Sequence, residues 1–114
     1  HVRNVARGIL TRADFEVEQA EHGGDALAFL SDNPTAVDLV LLDMTMPGLD
    51  GLEVLERIRQ LRPDLPVLLS SGYGQERVAG VLADDPACHF LAKPYRRQAL
   101  VDAVSGLLTA SEAD

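Results

Sequence analysis

Short apolar runs alternate with segments of helical period along the chain. Residues 1–13 place apolar side chains every three to four positions, which predicts an amphipathic helix, and Asp14 follows where a left-handed cap residue is expected. Residues 15–20 alternate apolar and polar side chains, as in a strand with one solvated face. A Gly-Gly turn then precedes a short helix over residues 25–30, which Asn33-Pro34 ends.

The same alternation continues to the end of the chain. Apolar runs predict buried strands over residues 37–42, 67–72 and 89–94. Each run is followed by a helical period, over residues 52–61, 75–83 and 96–108. Strands that alternate with helices pair in parallel through right-handed crossovers. The sequence therefore predicts an α/β fold, a doubly wound three-layer α/β/α sandwich.

The three later strands each end close to a polar residue of different chemistry. Asp43 ends the first, Ser71 lies near the end of the second, and Lys93 lies near the end of the third. Open α/β sheets bind their ligands at the carboxyl ends of the strands. Alone, Asp43 would be a common strand-terminating acid. A carboxylate, a hydroxyl and an amine together provide the nucleophile, the donor and the cation of a phosphate site.

At these positions the chain resembles a known family. Residues 41–51, LLDMTMPGLDG, are similar to the phosphoacceptor signature of the receiver domains of two-component response regulators. Ser71-Gly72 resembles the family's switch Ser/Thr with its small neighbour, and Lys93-Pro94 resembles its lysine-proline pair. The separations from Asp43, 28 residues to Ser71 and 50 to Lys93, also fit. The resemblance covers nearly the whole chain.

The resemblance implies a flavodoxin-like parallel sheet of five strands in the order 2-1-3-4-5. The family's first strand, with an acidic pair at its end, would lie just before His1, so it is absent from this sequence. We expect residues 1–110 to form a receiver domain lacking that strand, and residues 111–114 a polar tail or linker stub. The gap reflects either omitted upstream residues, which we favour, or closure by direct strand pairing or a neighbouring chain.

The resemblance also implies the chemistry. Asp43 would accept a phosphoryl group from the phosphohistidine of a histidine kinase, with Mg²⁺ held by the Asp43 carboxylate and the Thr45 backbone carbonyl. Lys93 would contact Asp43 at rest and a phosphoryl oxygen after transfer. Because the upstream acidic pair is absent, Mg²⁺ should bind weakly.

Further roles follow from the resemblance in the same way. Ser71 and Phe90 would form a coupled conformational switch, although plain core packing explains Phe90 nearly as well. Thr45 and Tyr73 would flank the path of the attacking water and set the lifetime of the phosphoryl group. The Lys93–Pro94 peptide bond would be cis.

Length, charge and cysteine content limit the possible cellular setting and partners of the chain. A chain of 114 residues forms one domain, and it contains no apolar run near the 18–20 residues of a membrane span and no signal-peptide pattern. Its net charge of −8 argues against a nucleic-acid surface. The single cysteine, Cys88, cannot form an intrachain disulfide and indicates a reduced, cytoplasmic setting, where it is a core residue.

The function expected from the sequence is a phosphoacceptor switch that is not itself an enzyme. Its partner would be a histidine kinase or phosphotransfer domain, and its output another domain or self-association through the last strands and helices. The parent protein could be a stand-alone regulator, a regulator cut from its effector, or a hybrid histidine kinase. The alternative is a pseudo-receiver that binds proteins without phosphorylation, favoured only by the missing acidic pair. A cofactor-binding flavodoxin-like enzyme would need a Gly-rich phosphate loop that the sequence lacks.

Overall fold

Strands and helices alternate in the computed structural model, which describes residues 2–16, 23–33, 35–43, 51–72, 79–93 and 95–112. The elements in chain order are α1 (Val2–Arg12), α2 (Gly23–Asp32), β1 (Val40–Asp43), α3 (Gly51–Leu61), β2 (Val67–Ser71), α4 (Ala79–Asp84), β3 (Cys88–Ala92) and α5 (Arg97–Glu112).

The described strands form one parallel sheet in the order β1-β2-β3. This confirms the predicted α/β fold, and the order agrees with the last three strands of the 2-1-3-4-5 arrangement. Strand β1 begins at Val40, later than the predicted residue 37. The Val40 amide donates to the carbonyl of Pro66 (3.0 Å), and Val40 pairs with Val67. Pro66 has no N–H with which to extend the ladder towards residue 37.

The predicted strand at residues 15–20 falls mostly outside the described residues. Phe15 and Glu16 are described and lie in no strand, and residues 17–20 are not among those described. The absent first strand of the family therefore stays a prediction, as does the division into a domain and a tail.

Two apolar clusters cover the opposite faces of the sheet, because successive side chains of a strand point to opposite faces. All five residues of β2 are buried. Val67 and Leu69 lie in the first cluster with residues of α2 and α3, whereas Leu68 lies in the second with residues of α1 and α5. A fully buried Val or Leu stabilises the fold by about 1.5–3 kcal/mol. This arrangement is the predicted three-layer sandwich.

The end of α1 confirms the predicted left-handed cap. Asp14 has a φ of 72°. The amide of Phe15 donates to the carbonyl of Leu10 (3.0 Å), and the amide of Asp14 donates to that of Thr11 (3.1 Å). These two bonds define a Schellman motif, whose usual apolar contact is provided by Phe15 and Leu10 in the second cluster.

Two helices are longer than predicted. Gly23 and Gly24 belong to α2 and not to a preceding turn. Asp25 lies in the first turn of that helix, where a carboxylate interacts favourably with the helix dipole. Helix α5 continues through Glu112, so the first two residues of the predicted polar tail are helical. No helix among the described residues is both long and apolar enough to cross a membrane.

A largely buried ion pair joins the end of α3 to the connector between α4 and β3. Arg59 Nε lies 2.6 Å from Asp85 Oδ2, and the two side chains are only 18% and 17% exposed. Arg59 Nη1 also donates to the carbonyl of Leu65 (2.6 Å), and Asp85 Oδ1 accepts from the amide of Ala87 (3.1 Å). Helix α4 has no buried residue of its own, and its Val81 and Leu82 are only partly buried against the first cluster. The ion pair is therefore one of the attachments of the α4–β3 connector, beside the bond from the Val67 amide to the Ala87 carbonyl (2.9 Å).

Cys88 lies at the start of β3, next to this ion pair, and is 4% exposed. Burial raises the pKa of its thiol to about 11, the Asp85 charge adds to that rise, and the Arg59 charge opposes it. The thiol is therefore protonated at neutral pH and largely shielded from solvent.

We expect Asp85→Asn and Arg59→Met both to accelerate modification of Cys88 by a thiol reagent, because each removes the attachment that keeps the thiol covered. A loss of roughly 1–2 kcal/mol would raise the labelling rate roughly 5–30-fold. The rate is measured with native protein at a fixed pH, and Cys88 is the only cysteine of the chain.

Asp85→Asn should lower the pKa of Cys88 and Arg59→Met should raise it, whereas opening of the connector would accelerate labelling in both variants. The two variants therefore distinguish opening of the connector from an electrostatic effect on the thiol. If Asp85→Asn labels faster and Arg59→Met labels more slowly than the parent protein, the ion pair does not hold the connector. Glu53→Gln is the matched control, since it removes the exposed Glu53–Arg57 pair of α3 (3.4 Å) and should leave the rate unchanged.

Candidate functional site

A lysine–carboxylate pair lies at the carboxyl edge of the sheet. Lys93 Nζ is 2.7 Å from Asp43 Oδ2, and the two side chains are 15% and 17% exposed. This distance is that of a charge-assisted hydrogen bond. The predicted resting contact between Lys93 and Asp43 is therefore present.

Sheet order explains how two residues 50 positions apart meet. Asp43 ends β1 and Lys93 follows β3, and β2 separates these strands. Strands two positions apart in a sheet lie roughly 9–10 Å from each other. The long lysine side chain must therefore pass over the end of β2 to reach the carboxylate.

Ser71 is the last residue of β2 and is buried. Its carbonyl accepts a hydrogen bond from the backbone amide of Lys93 (2.9 Å). Lys93 is thus held at both ends, by Ser71 through the backbone and by Asp43 through the ammonium group. The structure brings together Asp43, Ser71 and Lys93, the three residues expected from the sequence.

Phe90 lies on β3, three residues before Lys93, and is partly buried against the first apolar cluster. Core packing of Phe90 is therefore observed, and its switch role stays a prediction. Thr45, Tyr73 and Pro94 lie outside the described residues, so the metal ligand, the water path and the cis bond assigned to them stay predictions as well.

Two residues beside Asp43 were not identified from the sequence. Ser70 pairs in register with Asp43, and Tyr95 follows Lys93 by two positions. Tyr95 packs against the second apolar cluster. Burial raises the pKa of the Tyr95 phenol, and the negative charge of Asp43 raises it further. The charge of the Asp43 carboxylate therefore acts on this ring. The Ser-Ser pair within an apolar strand and the aromatic residue after Lys-Pro are the sequence signals that could have indicated them.

The described residues provide only part of a magnesium site. No group of three His, Cys, Asp or Glu side chains within the described ranges is placed to hold a metal ion. Asp43 offers hard carboxylate oxygens of the kind Mg²⁺ prefers, but Lys93 already contacts one of them. The Asp43 carboxylate is therefore of the donor type that fits Mg²⁺ at this position.

Comparison with known proteins agrees with this geometry. The family model described as "Response regulator receiver domain" matches residues 1–105. The chain belongs to that family. It is thereby a domain of two-component phosphorelay signalling.

Relatives and solved structures resemble this receiver domain over nearly its whole length. The response regulator MprA of Mycobacterium sp. (strain KMS) is 36% identical over 99% of this chain, and ResD of Bacillus subtilis, a transcriptional regulatory protein, is 34% identical over 94%. The chain spans about half the length of these relatives, 48% and 43% respectively. The crystal structure of the receiver domain of NtrX from Brucella abortus superposes with a TM-score of 0.83 at 33% identity, covering 95% of this chain and 90% of that one.

We expect Asp43→Asn to lower the pKa of Tyr95, because the substitution removes the nearby negative charge that disfavours the phenolate. Burial remains, so the pKa should stay above the ordinary tyrosine value of about 10. The measurement is an ultraviolet titration of phenolate absorbance in a Tyr73→Phe background, where Tyr95 is the only tyrosine. Glu53→Gln, which removes an exposed carboxylate of α3, is the control. An unchanged pKa in Asp43→Asn would mean that the phenol is not close to the carboxylate.

Proposed function

We propose that this receiver domain accepts a phosphoryl group on Asp43 from the phosphohistidine of a histidine kinase or phosphotransfer domain. The observation that supports it most is the contact between Lys93 Nζ and Asp43 Oδ2 (2.7 Å). It places a cation on a largely buried carboxylate at the sheet edge where α/β folds bind their ligands.

In the proposed reaction, a carboxylate oxygen of Asp43 attacks the phosphorus atom of the phosphohistidine. The P–O bond of an acyl phosphate forms, the P–N bond breaks, and the imidazole leaves with the electron pair of that bond and takes up a proton. Such transfers depend on in-line positioning and on neutralising the phosphoryl oxygens. Lys93 provides a positive charge at this position before and after transfer.

Mg²⁺ is the cofactor we propose, held by the Asp43 carboxylate and the Thr45 backbone carbonyl, and it would neutralise the phosphoryl oxygens when bound. After transfer, Lys93 moves from the carboxylate to a phosphoryl oxygen. Ser71 then donates its hydroxyl to the phosphoryl group, and Phe90 changes its packing against the first apolar cluster. This coupled movement would be the signal.

The receiver domain acts within a longer protein in the relatives that it matches. MprA is a response regulator and ResD a transcriptional regulatory protein, and this chain covers about half of each. It also matches the sensor kinase CckA of Brucella abortus at 32% identity over 82% of this chain, which is 10% of that protein. We propose that the domain works in the cytoplasm and controls an output domain, or receives phosphate within a hybrid kinase.

Incubation with acetyl phosphate and Mg²⁺ should add the mass of one phosphoryl group, and peptide mapping should place it on Asp43. Asp43→Asn should abolish the adduct, because an amide is not a nucleophile for phosphorus. Glu53→Gln is the control for a carboxylate outside the site and should be phosphorylated like the parent protein. A folded parent protein that forms no adduct would instead support a pseudo-receiver that acts by protein binding alone.

The phosphoryl group should be comparatively long-lived. Tyr73 would exclude the attacking water through its ring, and Thr45 offers no carboxylate or amide to orient that water. Tyr73→Ala should therefore lose phosphate faster in a single-turnover hydrolysis assay. Tyr73→Phe keeps the ring and should match the parent rate. Equal or slower hydrolysis in Tyr73→Ala would remove Tyr73 from the mechanism.

A further inference from the structure

Ser70 carries a buried hydroxyl that the proposed reaction does not use. The residue is 1% exposed, and Ser70 Oγ has no hydrogen-bond partner within the described part of the chain. An unsatisfied buried hydroxyl is destabilising, and such groups are rare enough in native proteins to require an explanation. An alanine would fill the same position without that cost.

The position of Ser70 relates it to the lysine–carboxylate pair. Ser70 pairs in register with Asp43 on one side and with Leu91 on the other. Residues paired in this way in adjacent parallel strands project to the same face of the sheet. Since Lys93 must cross β2 to reach Asp43, its side chain passes over the strand position that Ser70 occupies.

The alternation along β2 separates the two serines. Leu68 belongs to the second apolar cluster and Leu69 to the first. Ser70 therefore projects to the face of Leu68, and Ser71 to the face of Leu69. Leu41 and Leu91 also lie in the second cluster, each two residues before a member of the ion pair. Ser70, and not Ser71, shares its face with Asp43 and Lys93.

We propose that Ser70 is a positioning residue, whose hydroxyl donates a hydrogen bond to Asp43 once Lys93 has moved to the phosphoryl group. This inference rests on the proposed phosphorylation of Asp43. At rest, Lys93 holds the carboxylate, and Ser70 Oγ has no acceptor among the described residues. In the acyl phosphate, one oxygen of Asp43 is bonded to phosphorus and the other is a carbonyl, whose two lone pairs let it accept from Ser70 as well as bind Mg²⁺ once Lys93 has left.

This role explains why a buried hydroxyl without a partner is present at this position. Its cost falls on the resting state and is relieved in the phosphorylated state, so Ser70 biases the domain towards the phosphorylated form. A serine selected only for its small size, which lets the lysine cross β2, would affect both states equally. The two explanations therefore differ in a measurable way.

The decisive experiment is isotope-edited infrared spectroscopy of the acyl phosphate carbonyl of Asp43, with the adduct formed from acetyl phosphate and Mg²⁺. A hydrogen bond to a carbonyl lowers its stretching frequency, so Ser70→Ala should shift the band upwards. Ser70→Thr keeps the hydroxyl and should restore the parent frequency. Glu53→Gln, which removes an exposed carboxylate of α3, should leave the band in place. An unshifted band in Ser70→Ala overturns the proposal.

Urea unfolding of the unphosphorylated protein gives a second, independent criterion. Ser70→Ala should keep or increase the stability of the resting state, because it removes a buried polar group that has no partner. A clear loss of resting stability would show that the hydroxyl is already bonded and would overturn this inference alone. Failure of the folded parent protein to form an adduct would overturn the proposed function, and this inference with it.

Discussion

The contact between Lys93 and Asp43 is possible only because three parallel strands end at the same level. Asp43 and Lys93 lie on opposite sides of β2, and both the register of the sheet and the bond from the Lys93 amide to the Ser71 carbonyl fix their separation. A slip of one residue in either strand pair would turn the relevant side chain to the other face of the sheet. The site thus depends on strand register, which the apolar core enforces.

The burial of β2 on both faces is what enforces that register. Leu68 and Leu69 are each about fully buried, at 1% and 0% exposure, and they face different helical layers. A shift of the strand would exchange these layers and move a serine into one apolar cluster. The residues that create the core and those that create the chemistry therefore follow each other within one short segment, and neither set can change its register alone.

Much of the fold and the centre of the site could be predicted from the sequence. Strands recognisable by their apolar runs end beside Asp43, Ser71 and Lys93, and Asp14 was expected in the left-handed region because it follows a helical period. Ser70, Tyr95 and the Arg59–Asp85 ion pair were not predicted, since the contacts of each depend on which strands and loops become neighbours. The helical start at Gly23 was missed because two glycines favour a turn locally, whereas the packing of α2 against α3 overrides that preference.

Complete burial also has a consequence for the rates at which parts of the domain open. The amides of β2 lie between two strands and under two helical layers, so we expect their hydrogen exchange to proceed mainly through global unfolding. Lys93 lies just beyond the end of β3, so its side chain can change partner without breaking the backbone bond from its amide to the Ser71 carbonyl. The serines therefore lie on a buried central strand of the described sheet, and the cation lies at the end of a long side chain outside the strands. Lys93 can therefore change its partner while the serines of β2 keep their positions.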